Sequence, residues 1–220
     1  QGGNSGRVYY PANGTSSDIG TYKVANATPS SSAASDVTIT ADSATVARFG
    51  QGFATVSGQP NVSSLPAGTA YRYIFASVSS GDTAIIHADL LRYQTTGNIA
   101  TTGAVSMTFT AATRTITRLD AGSFITDGFT EASKITITGT VSNNGSKNIA
   151  TEAATSVTAT TIILGPDETV TGEVAVLTTI TTKEINLRSG SSDPFTNTAI
   201  NLQTFTYSDA SSYAFNADDR

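Results

Sequence analysis

No cysteine and no tryptophan occurs in this chain, and His87 is its single histidine. Without Cys there is no disulfide, no thiolate metal ligand and no thiol nucleophile. With one imidazole, a nucleophile–base pair has only one place to form. Charge is scarce too. Asp, Glu, Lys and Arg make up 13% of the residues, against about 25% in an ordinary soluble domain. The balance is acidic, with a formal net charge of −5 and no basic cluster. Neither nucleic acid nor an anionic membrane surface is therefore expected as a partner. No apolar run approaches the roughly 18 residues that cross a bilayer as a helix. Apolar residues almost nowhere recur at helical spacing over three turns.

Hydroxyls take the place of charge. The chain carries 38 Thr and 26 Ser among its 220 residues. Thr is branched at Cβ, stiff at χ1 and suited to the half-wet face of a strand. Eight Tyr, nine Phe and many Val and Ile supply the apolar surface that a disordered chain lacks.

Alternation of apolar and polar residues runs through the sequence. Residues 36–41 read D-V-T-I-T-A, and 134–141 read K-I-T-I-T-G-T-V, which sets Ile135, Ile137 and Val141 together. Residues 71–78 (Y-R-Y-I-F-A-S-V) and 84–93 (A-I-I-H-A-D-L-L-R-Y) carry apolar residues on both faces, as central strands do. Further strands are expected over 106–110, 114–118, 156–164 and 199–207. Clusters of Gly, Pro, Asn and Ser at 58–60, 66–68, 79–82, 143–146, 165–167 and 189–194 punctuate them, and 25–35 reads as an exposed loop. No helix interrupts the strands, so a parallel βαβ fold is not expected. The pattern predicts an all-β fold, an antiparallel β-sandwich of jelly-roll-like type. Residues 105–180 have their own rhythm, including the run Asn143-Asn144-Gly145, a hairpin signal because Asn and Gly accept positive φ. They read as a small β-barrel module inserted in a discontinuous sandwich domain of 1–104 and 181–220.

Catalytic patterns are missing. His87 and Asp89 share one strand face, but no G-x-S-x-G accompanies them, and a cross-strand surface contact is the simpler reading. Most of the 17 carboxylates fall at turns, as do Asp82, Asp127, Asp167 and Asp209, so no glycosidase pair is assigned. There is no P-loop, H-E-x-x-H or D-x-D-x-D-G pattern. An enzyme is not expected, nor a cofactor or resident metal. Asp218 and Asp219 form the nearest doublet for a calcium ion, against the plainer reading of a solvated strand-end turn. Sequons stand at Asn13, Asn26, Asn61 and Asn144. With 12 Asn and this much Ser and Thr, chance alone produces about that many. Tyr9, Tyr10, Tyr22, Tyr71, Tyr73 and Tyr93 could form a glycan platform, though a place in the core or its rim is favoured.

The segments V-Y-Y-P-A-N-G-T-S-S-D-I-G-T-Y-K-V at 8–24 and L-P-A-G-T-A-Y-R-Y-I-F-A-S-V at 65–78 resemble phage virion structural proteins. Separately, I-T-R-L-D-A-G-S-F-I-T-D-G-F at 116–129 with I-T-I-T-G-T-V-S-N-N-G at 135–145 resembles a small β module of phage head-appendage and tail-fibre proteins. The resemblance covers the N-terminal half and the inserted stretch. It implies a non-enzymatic structural subunit at a virion surface or otherwise outside the cell, with copies of itself or other virion proteins as partners. It also implies further strands after the A-D-D-R at 217–220. The chain is thus expected to be cut short, or its sandwich to lack a strand that a neighbour supplies. The donor would be the arm 1–10, through Val8, Tyr9 and Tyr10; the plainer reading of that arm is a frayed terminus. The chain opens on Gln1 rather than Met, as a processed chain or fragment does. Two alternatives stand beside the virion reading: a subunit of an extracellular filament assembled by donor-strand exchange, and a carbohydrate-binding sandwich module whose partners are glycans.

Overall fold

Thr-rich alternation and frequent turn residues lead to strands throughout. The computed structural model describes residues 10–16, 22–26, 52–55, 64–65, 67–78, 83–151, 156–191, 193–209, 212–215 and 219. Among them there are strands and turns and no helix. The strand expected at 36–41 lies outside the described residues, as do Val8, Tyr9, Asn61 and Asp218.

Three short strands open the chain: β1 (Tyr10–Thr15), β2 (Lys23–Asn26) and β3 (Phe53–Thr55). The start of the loop expected at 25–35 is therefore strand. β2 and β3 run parallel, whereas every other pairing between the described strands is antiparallel. Two ribbons then form from distant halves of the sequence. β5 (Gly68–Ala76) pairs with β15 (Asn201–Asp209) from Gly68↔Asp209 to Ala76↔Asn201. β6 (His87–Tyr93) pairs with β14 (Glu184–Ser191). The ribbons stack through Phe205, Ala88, Ile74 and Ile86, which makes the two layers of a sandwich. A small pair, β4 (Ser64–Leu65) with β16 (Tyr213–Ala214), completes this part.

The largest sheet lies between β6 and β14 in the sequence. It comprises β7 (Ala100–Thr101), β8 (Val105–Thr110), β9 (Thr115–Arg118), β10 (Lys134–Thr138), β11 (Gly145–Asn148), β12 (Thr161–Ile163) and β13 (Glu173–Thr182). Its order is β11-β10-β13-β8-β9-β12, with β7 beside β13. The two ends meet. Ile149 bridges Leu164, Ala150 N–H donates to Ile163 O at 2.9 Å, and Gly165 N–H donates to Asn148 O at 2.9 Å. The sheet is a closed barrel, which removes its open edges.

Alternation sorts the barrel's side chains. Ile135 and Ile137 point into the core with Met107, Phe109, Ile116 and Ile180, and each such burial is worth about 1.5–3 kcal/mol. Outside, strand pairing lines up hydroxyl residues, with Thr136 opposite both Ser146 and Thr181, and Thr117 opposite both Thr108 and Thr161.

Three expectations change. Val141 does not join Ile135 and Ile137 but stands 92% exposed, because β10 ends at Thr138 and the chain turns. That turn is not an Asn-Gly two-residue loop. It runs from Gly139 (φ +82°) to Gly145 (φ +116°), the left-handed residues at its two ends. Finally, 71–76 and 87–93 lie in two-stranded ribbons, so Phe75 on the second face of its strand is exposed, and Ile85 is exposed ahead of β6.

Candidate functional site

Four features gather the chemistry of this protein. The first is a buried carboxylate. Glu184 opens β14 in phase with the inward residues Ile180 and Thr182 of β13, and it is buried. One oxygen accepts from the Lys134 backbone N–H at 2.5 Å and the other from the Tyr22 phenol at 2.9 Å. Thr182 Oγ1 sits 2.7 Å from the carbonyls of both Lys134 and Glu184 and accepts from Glu184 N–H. The N-terminal sheet, the barrel and the second ribbon meet at this carboxylate. Burial holds the Glu184 carboxyl above the ordinary carboxylate range against its hydrogen bonds. Burial and Glu184 push the Tyr22 phenol well above the ordinary range.

The second is Arg118, whose buried guanidinium clamps the loop after β9. Nε and Nη2 donate to the two oxygens of Asp120 at 2.7 and 2.9 Å, and Nη1 donates to Asp127 at 2.6 Å. The guanidinium also lies 5.0 Å from the ring centre of Phe124, which meets Phe129 edge to face. Gly122 permits this arrangement, since a Cβ there would stand 2.0 Å from Arg118 Nη2. Arg118 holds the Asp120 carboxyl below its ordinary range. Hydrogen bonding to Asp120, helped by Asp127 and opposed by burial, raises Arg118. Asp127, read as a turn carboxylate, is a structural anion.

The third is a cleft of about 400 Å³ between the barrel and β14. Ile125, Phe129 and Val157 line one side, Asn186, Leu187, Arg188 and Ser189 the other, with Thr130 and Glu131 between. Asn186 N–H donates to Thr130 Oγ1 at 2.7 Å. Asn186 Nδ2 and Ser189 Oγ both donate to Asp89, at 3.4 and 2.6 Å. Burial and the nearby Asp89 push the Glu131 carboxyl up.

The fourth is apolar surface. Phe75 stands opposite Leu202 across the first ribbon, both exposed, with Ile200 exposed beside them. At the barrel, Val141, Val174, Val176 and Leu177 are exposed together with the turn and the β13 bulge that carry them.

The residues singled out from sequence fall elsewhere. His87 is exposed and pairs in register with Ser191. Asp89, on the same strand, takes Ser189 as its cross-strand partner. Asp219 is not solvated but buried, bonded to Arg92 Nε at 2.8 Å. Among the described residues no group of three His, Asp or Glu is placed to hold a metal. Tyr10 and Asn13 lie in β1 and Asn26 ends β2. Asn144 is exposed, but its amide is engaged: Oδ1 accepts from Thr140 N–H and Nδ2 lies 2.6 Å from Thr140 O. Of the tyrosines, Tyr22 belongs to the Glu184 site. Glu184 and Glu131 were not read from the sequence. For Glu184 a signal exists, a carboxylate in phase with core positions; for Glu131 there is none.

Compared with protein-family models, curated proteins and solved structures, the chain matches none. What fold and site define is an all-β protein with a closed barrel, a buried carboxylate node and exposed aliphatic patches. The resemblance to phage virion proteins rests on the quoted sequence segments alone.

Proposed function

We propose that this chain is a non-enzymatic structural subunit of a virion appendage, decoration or fibre, assembling with copies of itself or with other virion proteins at an exterior surface. The observation that carries this reading is the exposed cross-strand pair Phe75–Leu202, 72% and 49% accessible. Aliphatic and aromatic side chains set side by side on a sheet surface are an unfavourable use of solvent-facing positions unless another surface covers them. The aliphatic group at Val141, Val174, Val176 and Leu177 supports the same reading at a second place. Weak charge supports it too, because association then rests on apolar burial and backbone pairing rather than ion pairs.

Sedimentation velocity over increasing concentration tests the assembling part. Concentration-dependent association is expected, with Phe75→Ser and Leu202→Ser each weakening it roughly tenfold. A monomer at all concentrations up to roughly 100 μM sinks it. Immunogold labelling of virions tests the location. A continuous filament made of this protein alone under negative stain points to a filament subunit instead.

A further inference from the structure

Two apolar patches lie on different sheets, Phe75, Leu202 and Ile200 at the first ribbon and Val141, Val174, Val176 and Leu177 at the barrel. The barrel patch is held out by the backbone. In a regular strand one of two consecutive side chains faces inward, yet Val176 and Leu177 are 68% and 70% exposed. The bulge in β13 between Ala175 and Thr178 carries both, and bulges re-aim side chains in this way. It places Leu177 at φ +62°, a region that disfavours a bulky residue. It also requires glycine across from it, because a Cβ on Gly139 would stand 2.5 Å from Leu177 O.

Both patches are ready to be dried. In the turn that carries Val141, Thr140 N–H donates to Asn144 Oδ1 at 3.0 Å and Asn143 N–H to Thr140 Oγ1 at 2.9 Å. Val141 and Ser142 N–H both donate to Glu173 Oε2 at 3.3 Å. A partner that excludes water there leaves none of these donors unmet. On the ribbon, Phe75 pairs with Leu202 inside a register that runs unbroken from Gly68↔Asp209 to Ala76↔Asn201.

Charge and number identify the partner. The runs 138–146 and 174–182 contain no charged residue, and neither do 73–81 and 199–207. A charged group pressed against either patch loses its water and meets no counter-charge, so the covering surface is uncharged and apolar too. The chain itself carries two such surfaces. A twofold contact buries one patch against its own copy and leaves the other to a second interface. A head-to-tail contact covers both with one.

We propose that copies of this chain associate head to tail, the barrel patch around Leu177 docking onto the Phe75–Leu202 patch of the next copy. This rests on the reading of the chain as an assembling subunit and gives that assembly its polarity. The contact closes into a ring or runs on, as its rotation sets.

The chain has no cysteine, so introduced thiols report the contact directly. With Val176→Cys and Leu202→Cys together, a short bismaleimide should link the assembled protein into a ladder on denaturing gels. Either exchange alone should leave it as monomer. Mixing gives a second readout. Phe75→Thr with Leu202→Thr removes the ribbon patch, and Val176→Thr with Leu177→Gly removes the barrel patch; threonine suits a strand. Each should keep its thermal unfolding and lose association at least tenfold in sedimentation velocity. Their one-to-one mixture should form a pair that grows no further, joined by the intact patch of each. Where a double variant does not fold, the single-thiol chains decide.

The head-to-tail contact is overturned by a double variant that associates as the parent does, or by a mixture that stays monomeric. Linking of a single-thiol chain as efficient as that of the two-thiol chain overturns it as well. Those outcomes leave the assembly reading standing, whereas a parent that stays monomeric sinks both.

Discussion

The phenol of Tyr22 donates a 2.9 Å hydrogen bond to Glu184 across 162 positions of sequence. The same carboxylate accepts the first amide of β10. One ionisable group thus ties the N-terminal sheet, the barrel and the second ribbon, and its protonation state bears on all three.

Glu184 sets the first prediction. Its folded pKa lies above the unfolded value near 4.5, because burial disfavours the anion. The native state therefore binds more protons than the unfolded one in that interval. The contribution of this group is complete below 4.5 and is lost as pH rises through the folded value. Glu184→Gln keeps an acceptor without the charge, so it should flatten that fall in urea titrations across pH. Glu184→Ala leaves the Lys134 N–H and the Tyr22 hydroxyl without their acceptor, at a cost of about 1–3 kcal/mol for each group that stays dry.

Arg118 predicts the opposite slope. Asp120 is held below its ordinary value by Arg118, so its contribution is present above the unfolded pKa and disappears as pH falls through the folded one. Arg118→Lys keeps the charge but loses the two-pronged contact. Arg118→Ala should cost about 1.5–3 kcal/mol through its lost charge-assisted hydrogen bonds, and no more, since the Asp partners it leaves keep their solvent. Chemical denaturation at pH 7 and pH 3 checks both. Gly122→Ala should mimic part of the loss by displacing Arg118 Nη2.

Asn143 is buried between the turn and β13. Its Nδ2 reaches Thr171 O at 2.9 Å and Glu173 Oε1 at 2.7 Å, while its Oδ1 accepts from Thr171 N–H. Asn143→Asp replaces a donor with an anion facing Glu173. It should destabilise at pH 7 more than Asn143→Ala does, and recover partly on acidification. Thermal unfolding at pH 7 and pH 4 distinguishes the two.

Leu177 occupies φ +62° in the β13 bulge with 70% of its surface exposed. A bulky residue pays a steric penalty in this region that glycine does not. Leu177→Gly should therefore raise stability by about 1 kcal/mol, an unusual outcome for removing a leucine. If Leu177 is part of an assembly surface, the same variant weakens association in sedimentation. Gly139→Ala should destabilise, because a Cβ there meets Leu177 O at 2.5 Å.

Individual elements show how far the sequence reaches. The strands at 106–110, 114–118 and 199–207 appear as β8, β9 and β15 within two residues at each end, since uninterrupted alternation leaves one choice of face. β13 escaped notice. Its bulge between Ala175 and Thr178 reverses the phase, leaving Val174 and Val176 outside and Thr178 and Thr182 inside, so polarity no longer reports burial. The stretch 156–164 shrinks to three strand residues, Thr161–Ile163, after a turn in which Thr158 caps Thr161.

Scarce charge, abundant Thr and period-two alternation were enough by themselves to determine an all-β chain without cysteine chemistry. Those properties are local, and each residue expresses them wherever it is placed. Tertiary structure alone decided that the barrel closes through Ile149 and Leu164, that Glu184 meets Tyr22, and that Glu131 and Arg188 line one cleft. Closure, burial and charge pairing depend on which distant segments come together, and alternation along one strand carries no information about the strand that will lie beside it.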